Sequence, residues 1–371
     1  MKFHALKIMN SGRIVNKNIL GVKVYQPGKP IAEVKRELGL KEVIKLASNE
    51  SPFGPSPKVL KAISREAKSL NRYPDGGCFL LRRALAKRLG VKEDQLIFGN
   101  GSDEVIVMAI RAFVSPGDEV IVATPSFLVY EIAAKTAGAV VRAVPLNDLY
   151  YDLDGMRKAV TEKTKIVFIG NPDNPSGTYV SDNDLKAFLN SLPTQVLVFI
   201  DEAYYEFVKD KDYPDSIELL KTHQNIIVTR TFSKMYGLAG LRVGYGISTT
   251  ETIDYLNRVR EPFNINSLAQ VAAVACLEDQ AYYQKIARFI RKEKLSLYKG
   301  LGKLRLDYKK SATNFILVDV KEDSTQVANR LLKKGVIIRD MNFWGMKNVI
   351  RITVGTKQEN QKLLKVLKEI L

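Results

Sequence analysis

The stretch V-L-V-F-I-D-E-A-Y, residues 196–204, decides the fold of this chain of 371 residues. Its first five residues, Val196–Ile200, form an unbroken apolar run, which is typical of a strand buried on both faces of a parallel sheet. Asp201 follows directly, and burying a carboxylate there is costly unless a cation or a hydrogen-bond donor faces it. The stretch alone is equally compatible with Asp201 as a helix N-cap and as a carboxylate that faces a ligand.

Similar apolar runs alternate with helical patterns on both sides of this stretch. We expect strands at Glu119–Ala123, Ile166–Ile169 and Ile226–Thr229, and helices at Glu131–Ala137 and Asp182–Ser191. Such alternation predicts an α/β fold in which helices cover a largely parallel sheet. Because ligands of such sheets bind at the carboxyl ends of the strands, the residues that follow the strands are the candidates for chemistry.

The pattern changes after about residue 262 and predicts a separate, smaller α+β domain. Its expected elements are a long helix at about Leu268–Leu301, a strand at Asn314–Val320, a helix at Ser324–Lys334, and strands at Val336–Arg339 and Val349–Val354. The first residues carry two proline-containing breaks near residues 27–30, and we expect them to wrap against this domain. The large domain should therefore cover residues 46–262, and the small domain residues 1–45 and 263–371.

Polar segments follow or precede the predicted elements in three other places. The turn N-P-D-N-P-S-G-T, residues 171–178, is stiffened by two prolines and either points an asparagine amide at a ligand or is simply a tight loop. Lys234 follows the strand at 226–229, has hydroxyl residues around it and is followed eight residues later by Arg242, which argues against an ordinary exposed lysine. The segment G-N-G-S-D-E, residues 99–104, opens a helix and holds either a phosphate or an ordinary Ser102 N-cap.

Composition excludes several classes of protein. The two cysteines, Cys78 and Cys276, are too few for a disulfide framework, and the two histidines, His4 and His223, belong to no Cys/His cluster. We therefore expect neither a metal site nor a Ser-His-Asp triad. No apolar stretch is long enough for a membrane span, and the first ten residues lack the apolar core of a signal peptide. We expect a soluble, cytoplasmic protein.

The net charge is +17, from 57 Lys and Arg against 40 Asp and Glu. A balance this basic indicates an acidic partner, namely nucleic acid, an anionic membrane surface or phosphorylated small molecules, or else a lysine-rich solvated surface.

The polar segments, taken in order along the chain, resemble those of the fold-type I pyridoxal-phosphate aminotransferases. Within that family the chain is similar to the histidinol-phosphate aminotransferases. The narrower resemblance rests on L-A-S-N-E-S-P-F-G-P-S-P (46–57), R-Y-P-D (72–75), D-E-A-Y-Y-E-F (201–207) and P-F-N-I-N (262–266). It covers roughly residues 20–370 and implies a mainly parallel seven-stranded sheet flanked by helices, plus a smaller α+β domain.

The resemblance assigns a role to each residue around pyridoxal 5'-phosphate. Lys234 would form a Schiff base with the cofactor and then shuttle a proton, and Asp201 would face the pyridine nitrogen. Tyr204 and Asn174 would bond the ring hydroxyl, and Phe127 would stack on the ring. The phosphate would be held by Gly101, Ser102, Thr231, Ser233 and Arg242. Tyr73 would reach into the site of a neighbouring subunit, which implies a homodimer with shared active sites.

The resemblance also implies how substrates bind. Arg351 would clamp the carboxylate next to the amine, with Asn174 beside it. Arg339 would bind the substrate phosphate, or alternatively form a structural pair with Asp340 or a neighbouring acid. Tyr25 and Phe53 would help to enclose an imidazole ring.

The implied reaction converts histidinol phosphate and 2-oxoglutarate into imidazole-acetol phosphate and glutamate, a step of histidine synthesis. An aromatic amino-acid aminotransferase or a threonine-phosphate decarboxylase on the same scaffold are alternatives. A DNA-binding regulator of this fold would need a further domain, and the motifs begin near residue 46, so we expect neither a nucleic-acid nor a membrane partner.

Overall fold

The structure, a computed structural model, describes residues 14–22, 24 and 28–371. These residues form two β-sheets with helices packed against them, as the α/β pattern of the sequence predicts. The strands are β1 Ile44–Leu46, β2 Leu96–Gly99, β3 Glu119–Thr124, β4 Val140–Pro145, β5 Thr164–Gly170, β6 Leu197–Asp201, β7 Ile226–Thr231, β8 Gly244–Ile247, β9 Asp307–Tyr308, β10 Phe315–Asp319, β11 Val336–Asp340 and β12 Val349–Thr353. The α-helices are α1 Ile31–Leu38, α2 Pro57–Glu66, α3 Phe79–Leu89, α4 Ser102–Phe113, α5 Leu128–Thr136, α6 Leu153–Lys158, α7 Asp182–Ser191, α8 Ser216–Leu219, α9 Thr250–Val259, α10 Ser267–Glu278, α11 Gln280–Lys303, α12 Ser324–Lys333 and α13 Lys357–Ile370.

The larger sheet has seven strands in the order β2-β8-β7-β6-β5-β3-β4. Its strands β3 to β7 pair in parallel, and β8 runs antiparallel to both of its neighbours. Strands β6 and β7 are buried along their whole length, and each begins with an apolar run that ends in polar residues at its carboxyl end. The carboxyl ends of β5, β6 and β7 therefore lie side by side, and they bring residues 170, 201 and 231 to one edge of the sheet.

Two helix N-cap interpretations of the sequence are wrong. Asp201 is the last residue of β6, and the next helical turn begins only at Tyr205. Gly101, with φ 76°, is the N-cap of α4, and Ser102 is the first helical residue. Both side chains are therefore available for purposes other than capping.

The long helix expected at about Leu268–Leu301 is in fact two helices, α10 and α11, separated at Asp279. The backbone of Asp279 leaves the helical region, and the Gln280 side chain donates to the carbonyls of Cys276 and Leu277 at the end of α10. Because these side-chain bonds satisfy carbonyls at a helix end, the chain can turn there without a glycine or a proline. Sequence periodicity did not reveal this break.

The smaller sheet has five strands in the order β1-β11-β12-β10-β9. Strand β1 pairs in parallel with β11, so residues 44–46 lie in this sheet, although the division of the chain at residue 46 stays a prediction. Arg339 of β11 and Arg351 of β12 are direct partners across an antiparallel pair of strands. Side chains opposite each other in this way lie on the same face of a sheet.

Within the described part of the chain, none of the helices is long and apolar enough to cross a membrane.

Candidate active site

A cleft partly open to solvent lies at the carboxyl ends of β5, β6 and β7 and is closed on one side by residues of β11 and β12. Clefts at the carboxyl ends of such strands are the usual place for small-molecule sites. Twelve of the residues singled out in the sequence line it, namely Gly101, Ser102, Phe127, Asn174, Asp201, Tyr204, Thr231, Ser233, Lys234, Arg242, Arg339 and Arg351.

The floor of the cleft carries the carboxylate of Asp201, which is only 5% exposed. Tyr130 Oη donates to its Oδ2 at 2.9 Å, and the Ala203 amide and the Thr229 hydroxyl donate to its Oδ1 at 3.1 and 3.3 Å. Burial raises the pKa of Asp201 to about 6, against the effect of these donors. Because the donors are neutral, a cationic group facing Asp201 would favour its ionised form, and a protonated pyridine nitrogen is such a group.

Lys234 extends into the cleft from the segment that follows β7. Its Nζ donates to the carbonyl of Ser48 at 3.4 Å and lies 5.7 Å from the ring centre of Tyr204. The Tyr204 hydroxyl accepts a 2.9 Å hydrogen bond from Nδ2 of Asn49, so its own hydrogen can be donated into the cleft. An amine and a phenol hydroxyl thus line the same wall, next to the buried carboxylate.

One end of the cleft is built to hold an anion. The helix α4 begins there with unsatisfied N–H groups after Gly101. Thr231 Oγ1 donates to Ser233 Oγ at 3.0 Å, and the Arg242 guanidinium donates to the same Ser233 oxygen at 3.4 Å. Arg242 also donates to the carbonyl of Asn100 at 3.2 Å. We call Gly101, Ser102, Thr231, Ser233 and Arg242 the cradle.

Two glycines make this close packing possible. A Cβ on Gly101 would lie 2.6 Å from Nη2 of Arg242, and a Cβ on Gly244 would lie 2.6 Å from the Ser102 nitrogen. Side chains at these positions would push the arginine and the helix start apart. The donor set of N–H groups, hydroxyls and a guanidinium fits a phosphate group.

The opposite end of the cleft carries the two arginines of the smaller sheet. The Arg351 guanidinium donates to Oδ1 of Asn174 and, at 3.0 Å, to the carbonyl of Ala47. The Arg339 guanidinium lies over the ring of Trp344, 4.8 Å from its centre. The Trp344 indole donates to the carbonyl of Ser126 at 3.2 Å, so the segment between β3 and α5 supports the ring beneath Arg339. The cleft thus presents two groups of hydrogen-bond donors that can bind anions, the cradle and the pair of arginines.

The structure does not bring every predicted residue into the cleft. Tyr73 is 83% exposed and stacks on Phe263 with the ring centres 4.8 Å apart, outside the cleft of its own chain. Phe53 packs edge-to-face against Phe289 and does not line the cleft. Tyr25 lies outside the described residues. The predicted roles of all three stay predictions.

Three residues of the cleft were given no role from the sequence. Asn49 lies in a motif that carries the family resemblance, so a signal existed without an assignment. Trp344 is the only tryptophan of the chain but has no neighbouring motif. Tyr130 lies one residue before the predicted helix at 131–137, and its partner Asp201 is 71 positions away. Contacts over such distances leave no local pattern.

Comparison with known families identifies one match. The model of aminotransferases of class I and II matches residues 41–367, which is most of the chain.

Curated relatives of similar length also match. A histidinol-phosphate aminotransferase from Moorella thermoacetica is 48% identical over 354 residues, covering 95% of this chain and 92% of its own. One from Brevibacillus brevis is 50% identical over 353 residues, covering 95% of this chain and 97% of its own. A crystal structure of histidinol-phosphate aminotransferase from Sinorhizobium meliloti in complex with pyridoxal-5'-phosphate superposes with a TM-score of 0.86 at 29% identity, covering 96% of this chain and 98% of its own.

Proposed function

The chain belongs to the aminotransferases of class I and II, and we propose that it transfers the amino group between histidinol phosphate and 2-oxoglutarate with pyridoxal 5'-phosphate as cofactor. The products are imidazole-acetol phosphate and glutamate. One observation carries the proposal: an amine, a buried carboxylate and an anion cradle line a single cleft, in a chain that is about half identical to relatives named histidinol-phosphate aminotransferase. Because the reaction is biosynthetic and the cysteines Cys78 and Cys276 are free, we assign the enzyme to the cytoplasm.

The bound cofactor supplies an aldehyde for the amino group and an electron-withdrawing ring. Asp201 would hold a proton on the pyridine nitrogen, because an ionised carboxylate opposite that atom stabilises the cation. The surrounding burial strengthens this interaction, since water competes with it only weakly. Tyr204 would donate its hydrogen to the ring hydroxyl, with Asn49 fixing the orientation of the phenol. Phe127 would cover one face of the ring.

Lys234 would do two things with one amine. It would hold the cofactor covalently before the substrate arrives, and its freed Nζ would then carry the proton between the substrate carbon and the cofactor carbon. The amine can reach both atoms only if the ring stays in place. The cradle supplies that constraint, because N–H groups, two hydroxyls and Arg242 would bind the phosphate at the far end of the molecule.

Substrate recognition would fall to Arg351 and Arg339. Glutamate and 2-oxoglutarate carry two carboxylates, while histidinol phosphate carries a phosphate and no carboxylate, so both substrates offer anions to a pair of guanidinium groups. Arg351 would bind the carboxylate next to the amine, beside Asn174. Arg339, supported by Trp344, would bind the phosphate.

We further propose that the active unit is a homodimer in which Tyr73 completes the site of the neighbouring subunit. An 83% exposed tyrosine stacked on the 48% exposed Phe263 is an apolar surface that a second copy of the chain could cover.

A substrate panel tests the proposal. The purified protein, loaded with pyridoxal 5'-phosphate, is offered histidinol phosphate, phenylalanine or tyrosine with 2-oxoglutarate, and glutamate formation is followed. The expected kcat/KM is highest for histidinol phosphate. A higher value for phenylalanine or tyrosine would reassign the protein as an aromatic aminotransferase. Release of carbon dioxide from phosphothreonine without a keto acid would reassign it as a decarboxylase.

A further inference from the structure

The segment P-F-N-I-N, residues 262–266, lies between α9 and α10 and has no role in the chemistry above. Its two asparagines reach the two sides of the cradle. Asn264 contacts the side formed by the start of α4, and Asn266 contacts the side formed by Arg242.

Asn264 is joined to the start of α4 through Glu104. Its Nδ2 donates to Oε2 of Glu104 at 2.9 Å and to the carbonyl of Phe98 at 2.9 Å. The same Glu104 oxygen accepts bonds from Asn100, at 2.6 Å from the backbone nitrogen and 3.2 Å from Nδ2. Asn100 in turn donates to the carbonyl of Asn264 at 2.7 Å. The residue before Gly101 is therefore held in place by a closed set of hydrogen bonds.

The other face of Asn264 is also fixed. Its Oδ1 accepts a 3.0 Å bond from Arg260, which donates at 2.9 Å to the carbonyl of Gly76. The amide of Asn264 is thus bonded through both its oxygen and its nitrogen, so it cannot rotate without breaking several bonds.

Asn266 holds the Arg242 side. Its Nδ2 donates to the carbonyl of Leu241 at 3.0 Å, and its Oδ1 caps α10 by accepting from the Ala269 amide at 2.8 Å. Arg242, which directly follows Leu241, has a left-handed backbone with φ 55°. That conformation is unfavourable for a non-glycine residue, so contacts on the preceding peptide help to retain it.

We propose that Asn264 and Asn266 are positioning residues for the cofactor phosphate, an inference that rests on the proposed function. Neither residue lines the cleft. Asn264 sets the position of the N–H groups at the start of α4, and Asn266 sets the position of the guanidinium that completes the cradle.

The test compares pyridoxal 5'-phosphate with pyridoxal, which lacks the phosphate. The apo-protein is titrated with each compound in phosphate-free buffer. The Kd ratio, defined as the Kd of pyridoxal divided by the Kd of pyridoxal 5'-phosphate, measures what the cradle contributes. For Asn264→Ala we expect the Kd of pyridoxal 5'-phosphate to rise about tenfold while that of pyridoxal changes less than about twofold. An equal loss for both compounds, or no loss for either, would overturn the proposal.

Asn360 offers a matched control. Its Nδ2 donates to a glutamate, Glu293, and to the carbonyl of Gly355, both at 3.0 Å, in a buried position outside the cleft. Asn360→Ala removes the same kinds of bond, and its Kd ratio should equal that of the wild type. A ratio that falls as far as in Asn264→Ala would show a general loss of stability and count against the proposal.

Two more variants keep the test informative if Asn264→Ala does not fold. Asn266→Ser keeps an uncharged side-chain oxygen that can cap α10 and loses the amide donor to Leu241, so its Kd ratio should fall in a folded protein. Glu104→Ala should mimic Asn264→Ala, and the double variant should lose little more than either single one. Additive losses would contradict a path through Glu104. Failure of the wild type itself to bind pyridoxal 5'-phosphate would instead reject the proposed function.

Discussion

The Tyr130 hydroxyl donates a 2.9 Å hydrogen bond to Oδ2 of Asp201. The ring of Tyr130 stacks on Phe168 with 4.7 Å between centres and meets the edge of Phe127 at 5.5 Å. One buried side chain therefore contacts both the carboxylate proposed to face the cofactor nitrogen and the ring proposed to cover the cofactor face. We expect substitutions here to alter cofactor binding without removing a group that performs chemistry.

Tyr130→Phe removes the bond to Asp201 and leaves the aromatic packing. A hydrogen bond to an ionised group favours the ionised form, so its loss should raise the pKa of Asp201 above about 6. The cofactor needs the ionised carboxylate, and its affinity for the apo-protein should therefore decline as the pH falls through that pKa. Titration from pH 5 to 9 should show the decline shifted upward by about one pH unit.

Tyr151→Phe is the control for this experiment. The Tyr151 hydroxyl also donates to a buried carboxylate, Asp173, at 3.1 Å, but Tyr151 does not line the cleft. Its pH profile should match that of the wild type. An unchanged profile in Tyr130→Phe would contradict the role given to the Tyr130 bond.

Lys234→Ala should abolish turnover, because no other side chain would supply the amine that moves the proton. Borohydride reduction of the wild-type holoenzyme should leave the cofactor covalently attached to Lys234, with a mass increase equal to that of the cofactor minus one water plus two hydrogens, and the variant should show no such increase. Lys309→Ala removes a lysine that pairs with Asp148 outside the cleft, and this control should keep both the activity and the mass increase. A Lys234→Ala enzyme with full turnover would refute the assignment.

Arg351→Gln should separate the two halves of the reaction. Glutamate has a carboxylate next to its amine and histidinol phosphate does not, so only the glutamate half-reaction should lose an ion pair. Single-turnover measurements should show a loss of about 100-fold with glutamate and a much smaller loss with histidinol phosphate. Arg339→Gln should instead weaken the half-reaction with histidinol phosphate, whose only anion is its phosphate. Equal losses in both half-reactions for Arg351→Gln would argue against separate anion sites.

Mixing two inactive variants tests whether sites are shared. If Tyr73 acts in the neighbouring subunit, a heterodimer of Tyr73→Ala and Lys234→Ala chains contains one site with both residues intact. Co-expression should therefore restore roughly a quarter of the wild-type activity per chain. Tyr73→Ala expressed alone should stay inactive. If co-expression restores no activity, Tyr73 does not act in the site of the neighbouring subunit.

The positions of the residues proposed to carry the chemistry could be predicted, because the end of an apolar run in the sequence marks the end of a buried parallel strand. Asp201 and Lys234 follow apolar runs that the structure shows as β6 and β7, each shifted or extended by one or two residues from its expected bounds. Since such strands end at the same edge of a sheet, their following residues had to lie together.

The supporting residues could not be found in this way. Asn49 meets Tyr204 across 155 positions, and Trp344 meets Ser126 across 218. These contacts join segments that are far apart in the sequence and come together only in the folded chain, which no local pattern encodes. The turn at Asp279 was missed for a different reason: side-chain bonds from Gln280 replace the usual glycine or proline signal.

The pairing of Arg339 with Arg351 on neighbouring strands has a consequence for how this enzyme could change over time. Both arginines belong to the smaller sheet, while Lys234 and Asp201 follow or end strands of the larger one. If the two arginines bind substrate anions as proposed, a substitution at either one would alter which anions are accepted and would leave the proposed reacting groups where they are. New substrate ranges can therefore arise by changes on two adjacent strands, one residue at a time, in proteins that keep their catalytic competence throughout.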